Sequence, residues 1–498
     1  MSEDGKTANE RPNLVLIMTD QQRGDCLGVE GHPVLETPHL DSLSGDGIRF
    51  RRAYSTCPQC IPARRTVMTG RSELGHGVLC NYQTQMDLPT LPEALGRAGY
   101  QTHLVGKLHM WPPRKLFGFD SADWADSPHR APVKSDYDRF LEREGVSAKN
   151  AGMMHGLHEN GWVSRPWPLD EHLHFSNWCT DCGIEFLERR DPTRPFFLKL
   201  SYHQPHPPCS PPAHYFDHYM SKELPEPYVG DWVSDHDEVD ATANIAPWRT
   251  HIRPEAMKRF RAGYYGCISH IDEQIGRFLY HLPRNTAVVF VSDHGEMLGD
   301  HYYFRKCSGY EGSARVPFIM KLPREYGIER GAVSNDLVTL ADLMPTLLDL
   351  AGAECPEGVE GRSLLELPAI SKEGNTPWRN TVRGESALVP TSGSGTQWIT
   401  DGDWKYIWYP GTGEEQLFDL VNDPNECVDR VADPAQADRV SAFRKQLVEE
   451  LKDRPEGFVE DGDLRITGGP TDMYLEGYKR EPFTMDMPGI KHGQIIQE

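Results

Sequence analysis

Cys60-Ile61-Pro62-Ala63-Arg64 is the stretch whose residue types could do chemistry at a set geometry. Pro62 suits the first turn of a helix, where its missing N–H costs nothing. Arg64 then lies one turn beyond Cys60, near the helix N-terminus. The helix dipole and the guanidinium both favour an anion at residue 60. A thiolate beside Arg64 would be a reactive nucleophile. The other reading of the pentapeptide is an ordinary thiol with a Pro and an Arg nearby. Other residues of chemical interest stand at the ends of short apolar runs. Asp20-Gln21 follows 13–18, and Asp293-His294 follows 286–292. A carboxylate at the C-terminal end of a buried strand lies where open α/β sheets place their sites. Asp20 alone would also serve as a helix cap or turn residue. Lys107 and His109 follow the run 100–105 and share one side if that segment is extended. His203 and His206 follow 195–202 in a Pro-rich stretch that could fix a histidine structurally. Arg305 and Lys306 stand side by side a little beyond Asp293-His294.

These side chains need elements to position them. The continuous apolar runs 13–18 and 286–292 have the pattern of buried strands, and 48–54, 100–105 and 195–202 read as further strands. A helix is expected to start at 37–43, another to run from 88–95 to near Gly99, and a long one over 255–280. In the last, Phe260, Tyr264, Cys267, Ile268, Ile271, Ile275 and Phe278 recur at helical spacing. The stretch 337–348 reads as a helix. A looser Gly/Pro/Ser segment at 366–395 suggests a boundary, and the organisation expected is a catalytic unit over 12–375 and a C-terminal subdomain over 376–498. In the latter, 398–400, 404–409 and 415–420 read as antiparallel strands, 434–453 as a helix, and the last ~40 residues as a wrapping tail. Residues 110–190, with Trp111, Trp124, Trp162, Trp167 and Trp178, read as loop insertions over a site. Their Trp residues could stack on a ligand or plug loops, and His172 and His174 are candidates for substrate contact.

The 498 residues carry a net charge of −22. That argues against a nucleic-acid binder or a polybasic membrane binder. It also requires a local basic pocket if the substrate is an anion. The first ten residues lack the apolar core of a signal peptide and no run is long enough to span a bilayer, so a cytoplasmic protein is expected. Eleven cysteines is an odd number without a regular framework, so at least one is unpaired within the chain. Cys179 and Cys182 have redox or zinc spacing but no second pair.

Cys60-x-Pro62-x-Arg64, followed by Thr69-Gly70-Arg71, resembles the type I sulfatase signature, with Ala63 at a position where Ser is commoner. The resemblance extends over about residues 12–455. It implies an alkaline phosphatase-like α/β fold, with a mixed, mostly parallel sheet between helices and a smaller C-terminal antiparallel sheet. It also implies that Cys60 is oxidised to formylglycine by a formylglycine-generating enzyme. One hydroxyl of the aldehyde hydrate would attack sulfur and the other would later expel sulfate. Asp20, Gln21, residue 60, Asp293 and His294 would then hold one divalent metal, Ca2+ first and Mn2+ as the alternative. Arg64 would help activate the diol. Lys107 and Lys306 would bind sulfuryl oxygens, with Arg305 the alternative to Lys306 if the register slips. His109 would deprotonate the second hydroxyl and His206 would protonate the leaving oxygen. The implied activity is hydrolysis of a sulfate monoester of a carbohydrate or a small organic molecule. A phosphonate monoester or phosphodiester hydrolase would use the same site, as the Asp-Gln form of the first pair in some relatives suggests. A non-catalytic glycan- or anion-binding protein, in which Cys60 is never oxidised, and a plain thiol hydrolase are the remaining readings.

Overall fold

The computed structural model describes residues 11–469 apart from 83, 127–132, 148–156, 234–245, 247, 368, 369, 371–376 and 390–393, together with 471, 472 and 475. Its main sheet is built from β1 (Asn13–Asp20), β2 (Ile48–Tyr54), β3 (Gln101–Gly106), β4 (Ser121–Trp124), β5 (Phe196–Pro205), β6 (Thr286–Ser292), β7 (Phe318–Lys321) and β8 (Ala332–Thr339). The strand order is β4-β3-β5-β1-β6-β7-β2-β8. β7 is antiparallel to both neighbours, and the other pairs are parallel.

The central strands read as unbroken apolar runs because both faces of the sheet are covered. Leu14, Leu16 and Met18 point into one core with Phe197, Val289 and Val291. Val15 and Ile17 point into the other with Leu198, Leu200 and Phe290. The helices that bear on the cores and the site include α1 (Pro38–Gly45), α2 (Cys60–Thr69), α3 (Leu91–Arg97), α4 (Phe175–Arg189), α5 (Pro254–Tyr280), α6 (Leu343–Ala351) and α7 (Ala437–Leu451). Val67 and Met68 of α2, Leu95 of α3 and Leu347 of α6 cover the first face. Leu43 of α1, Phe186 of α4 and Ile275 of α5 cover the second. No helix among the described residues is long and apolar enough to cross a membrane.

A second sheet holds β9 (Val382–Val389), β10 (Ser394–Thr400), β11 (Trp404–Trp408) and β12 (Glu415–Asp419), all antiparallel. One face packs Ile399, Tyr406 and Leu417 against Phe443 and Leu447 of α7. The other packs Trp398, Ile407 and Phe418 against Tyr54, Tyr310 and Leu337 of the larger unit.

Three expectations change. Residues 337–339 belong to β8, because Leu337, Val338 and Thr339 pair with Arg52, Ala53 and Tyr54 of β2. The helix begins only after Thr339 and Asp342 have formed a reciprocal cap. β9 lies inside the loose 366–395 stretch, where pairing with β10 overrides the weak strand propensity of Gly384 and Ser386. The expected 375/376 boundary falls on residues outside those described, as do 476–498 of the tail. Finally, 110–190 is not only loops. It supplies β4, α4 and a helix at Asp136–Arg143, and Trp124 and Trp178 are buried in the two cores.

His174 is a helix cap, not a substrate contact. Its Nδ1 accepts from the Ser176 N–H at the start of α4 and its Nε2 pairs with the Ser210 carbonyl. His76 is held alike, between the Val78 N–H and the Thr66 hydroxyl. Both rings are neutral, and burial pushes His174 down to about 4 and His76 to about 3 from an ordinary 6.5. The unfolded chain therefore binds protons below pH 6.5 that the folded chain refuses. The stability these rings provide is complete above pH 6.5 and drains as pH falls toward about 4. Each contributes up to ~1.4 kcal/mol per pH unit. Denaturant midpoints measured across this window should fall with pH, and H174N, which keeps a capping oxygen without titrating, should flatten the slope. A level profile in the native chain would contradict this.

Candidate active site

The register of the central strands creates the site. Thr19 of β1 stands beside Ser292 of β6, so Asp20 and Asp293 emerge side by side. Gly106 at the end of β3 stands beside Ser201 of β5. Gly106 has a φ of +89°, and a Cβ there would lie 2.1 Å from the Ser201 carbonyl oxygen, so only glycine lets Lys107 leave the strand at this point. Gly295 is needed for close approach instead: a Cβ would meet the Gly312 carbonyl oxygen at 2.1 Å. Its own N–H donates to the Ser313 carbonyl.

Cys60 is the first residue of α2, after the extended Gln59, and Gly70 ends the helix with a φ of +63°. The Cys60 Sγ lies 3.1 Å from His294 Nε2, 3.7 Å from Asp20 Oδ1 and 3.3 Å from Lys306 Nζ. Asp20, Cys60, Asp293 and His294 are buried, and one ligand atom of each lies within 4.8 Å of the others. This donor set fits a divalent metal. His294 Nδ1 pairs with the Gly295 carbonyl at 2.9 Å, so Nδ1 carries the proton and Nε2 offers its lone pair. Asp20 Oδ2 is taken by Lys107 at 2.6 Å and Arg64 at 3.2 Å, which leaves Oδ1 on the side of Cys60 and His294. Burial alone would raise the Asp20 carboxyl, but the Lys107 ammonium and the Arg64 guanidinium outweigh it and hold it well below the usual range.

Arg64 does a different job from the one its spacing suggested. Its Nε donates to Asp293 Oδ2 at 2.8 Å and its Nη2 to Asp20 Oδ2, while Nη1 donates to the Lys107 carbonyl and the Ser201 hydroxyl. It joins the two carboxylates and ties the ends of β1, β3 and β6 to the middle of β5. Gln21 turns with a φ of +67°. Its Oε1 accepts from Lys306 Nζ at 2.9 Å, and its Nε2 donates to Glu296. Lys306 Nζ also lies 3.0 Å from His206 Nε2. His206 Nδ1 pairs with the Pro207 carbonyl, so its Nε2 accepts and the shared proton rests on the lysine. Arg305 points elsewhere, stacking on Trp248 and donating to backbone carbonyls of Asn160 and Ala246. The register therefore favours Lys306.

The sequence argument for Lys107 and His109 sharing a face does not hold, because β3 has ended and His109 has a φ of +55°. Lys107 enters the cluster through Asp20, whereas the backbone N–H of His109 is held by Asp126 Oδ1 at 2.7 Å. Ser201, Asp126 and Glu296 were missed. Asp126 and Glu296 each lie shortly beyond a strand end, the signal that could have found them, whereas Ser201 lies inside β5.

The family model for sulfatases matches residues 12–353. The chain belongs to the sulfatase family. A second model, the C-terminal part of N-sulphoglucosamine sulphohydrolase, matches this sulfatase over residues 299–453. An arylsulfatase from Clostridium perfringens is 41% identical over 486 residues, covering 92% of this chain and 98% of the relative. A choline-sulfatase from Rhizobium meliloti is 30% identical, covering 85% of this chain and 83% of the relative. Among solved structures, a phosphonate monoester hydrolase from Agrobacterium radiobacter overlays with a TM-score of 0.75 at 23% identity, over 88% of this chain and 95% of its own. A protein in complex with its substrate D-glucosamine-2-N,6-O-disulfate overlays with a TM-score of 0.69 at 24% identity, over 89% of this chain and 98% of its own. These overlays, the mixed eight-stranded sheet and the separate small sheet give the alkaline phosphatase-like fold.

Proposed function

We propose that this protein hydrolyses sulfate monoesters, of a carbohydrate or a small organic alcohol, through a formylglycine made from Cys60. The observation that carries the reading is the meeting of Cys60 with Asp20, His294 and Lys306 at the strand ends. The thiol sulfur stands in for an oxygen of the aldehyde hydrate. Asp20, Asp293, His294 and residue 60 would hold a divalent metal, with the Gln21 carbonyl turned to the same side. A bound metal would supply Lewis-acid polarisation and neutralise a sulfuryl oxygen. Carboxylate and carbonyl oxygens favour Ca2+, and the imidazole keeps Mn2+ as the alternative.

The side chains divide the remaining work. Arg64 holds the two carboxylates at a set separation. Lys306 and His206 share one proton on the side facing residue 60, and together they donate to the departing alcohol oxygen. Lys107 neutralises the outer oxygen of Asp20. The second hydroxyl of the hydrate is assigned to His109 on the strength of the Lys-x-His resemblance. Arg64, Lys107 and Lys306 match Asp20, Asp293 and Glu296 in number, so a metal would leave the pocket positive. That is how a chain of net charge −22 would draw in an anionic ester. A cytoplasmic setting belongs to the same proposal, supported by eleven cysteines that all stand as thiols.

The test is mass spectrometry of the Cys60 peptide from protein made beside a formylglycine-generating enzyme, with sulfate release assayed on the same sample. The peptide should be lighter by ~18 Da, the thiol-to-aldehyde change at the nucleophile. An unmodified thiol and no turnover would hand the site to an anion-binding role. Gln21 keeps one second reading alive, a phosphonate monoester hydrolase, because both ester types carry a single negative charge. Aryl sulfate should be cleaved faster than phenyl phosphonate, and the reverse order would favour the second reading.

A further inference from the structure

Glu296 is fully buried beside the cluster. Its Oε2 accepts from the side-chain amide of Gln21, and its Oε1 accepts from the backbone N–H groups of Leu298 at 3.0 Å and Arg305 at 2.5 Å. One carboxylate thus touches two separate parts of the site. On one side it faces Gln21, whose amide has two ends and no intrinsic reason to point either one inward. On the other it grips the residue before Lys306. That loop is shaped against preference, with φ values of +68° at Arg305 and +78° at Cys307. Such residues persist only where the surroundings hold them. The backbone pairing of Met297 N–H with the Arg305 carbonyl adds to the grip.

We propose that Glu296 is a positioning residue that sets both the amide orientation of Gln21 and the place of Lys306. Because a carboxylate only accepts, Gln21 must give it Nε2 and therefore turns Oε1 toward Lys306. The same contact explains a neutral residue at position 21, since a carboxylate there would face that of Glu296 in a buried pocket. The inference rests on the metal-holding role proposed above for Gln21 and its neighbours.

The logic of the pair can be reversed by exchange. In E296Q, the oxygen of the new amide stays with the two backbone N–H groups, so its NH2 faces Gln21. Gln21 must then flip, pointing its own NH2 at the Lys306 ammonium. In Q21E, two carboxylates face one another. In Q21E/E296Q, residue 21 again accepts from Lys306 and residue 296 now donates to it.

The experiment titrates Ca2+ and Mn2+ into each metal-free protein by calorimetry and measures denaturant midpoints of the same metal-free samples. E296Q is expected to bind the metal about tenfold more weakly or worse, the usual effect of losing the partner of a ligand. The double exchange should recover to within about threefold of the native chain. Native affinity in E296Q, or a double exchange that folds but binds no better than the singles, would overturn the proposal. If the native chain binds neither ion, the metal reading fails and the metal-free midpoints decide for Glu296. A double exchange more stable than the two singles combined supports the pairing, and strict additivity refutes it.

Discussion

In a Cys60→Ala protein, sulfate-ester turnover is expected to fall by on the order of 10^5-fold, with folding left nearly intact. The thiol is fully buried, and its Sγ is the atom that His294 Nε2, Asp20 Oδ1 and Lys306 Nζ approach. Asp20, His294 and Lys306 are proposed to hold the metal and to donate to the leaving oxygen, so none of them stands in for the nucleophile. Cys307 is also buried, and burial pushes its thiol far above the ordinary value, so it is no substitute nucleophile. Alanine keeps the helix propensity of the first turn of α2. The check is sulfate release at saturating substrate alongside thermal melting. Residual activity within about a hundredfold of the parent would mean that the nucleophile lies elsewhere.

Arg64→Met is expected to be the most damaging substitution for stability. The guanidinium is wholly buried and bonded to both Asp20 and Asp293. Removing one partner of a buried ion pair typically costs ~3–5 kcal/mol, because the remaining charge is left uncompensated. Here two carboxylates lose their shared cation at once. The loss should appear as a lower denaturant midpoint in metal-free protein. A divalent metal should restore part of it, since a bound metal would supply positive charge to the same two carboxylates. Arg64→Lys should fall between, since one ammonium cannot also reach the Lys107 carbonyl and the Ser201 hydroxyl. Equal midpoints for the native chain and Arg64→Met would show that the clamp carries no stability.

The two substitutions separate functions that the spacing of residues 60 and 64 had merged. One turn of helix places Arg64 near Cys60, and that much is local geometry. Which atoms the guanidinium binds depends on where β1 and β6 end, and those strands lie far away in sequence. The Lys107 and His109 pair makes the same point from the other side. Alternation is a rule for extended chain, and the left-handed His109 removes its premise. The residues of Leu337 to Thr339 read as helix because their run joins the apolar periodicity of α6. Only the pairing with β2 shows that they are strand.

What the chain determined by itself is the set of strands buried on both faces, the residues that stand at their ends, and the thiol opening a helix one turn before an arginine. These follow from hydrophobic pattern, proline chemistry and helix geometry, all of which act over a few residues. The tertiary structure alone decided which end-of-strand groups meet. It brought Asp20 beside Asp293 through strand register, gave Arg64 to the carboxylates, chose Lys306 over Arg305, and placed Glu296 behind Gln21. Those outcomes depend on contacts between residues more than two hundred positions apart, as with Gln21 and Glu296, and no local pattern encodes them.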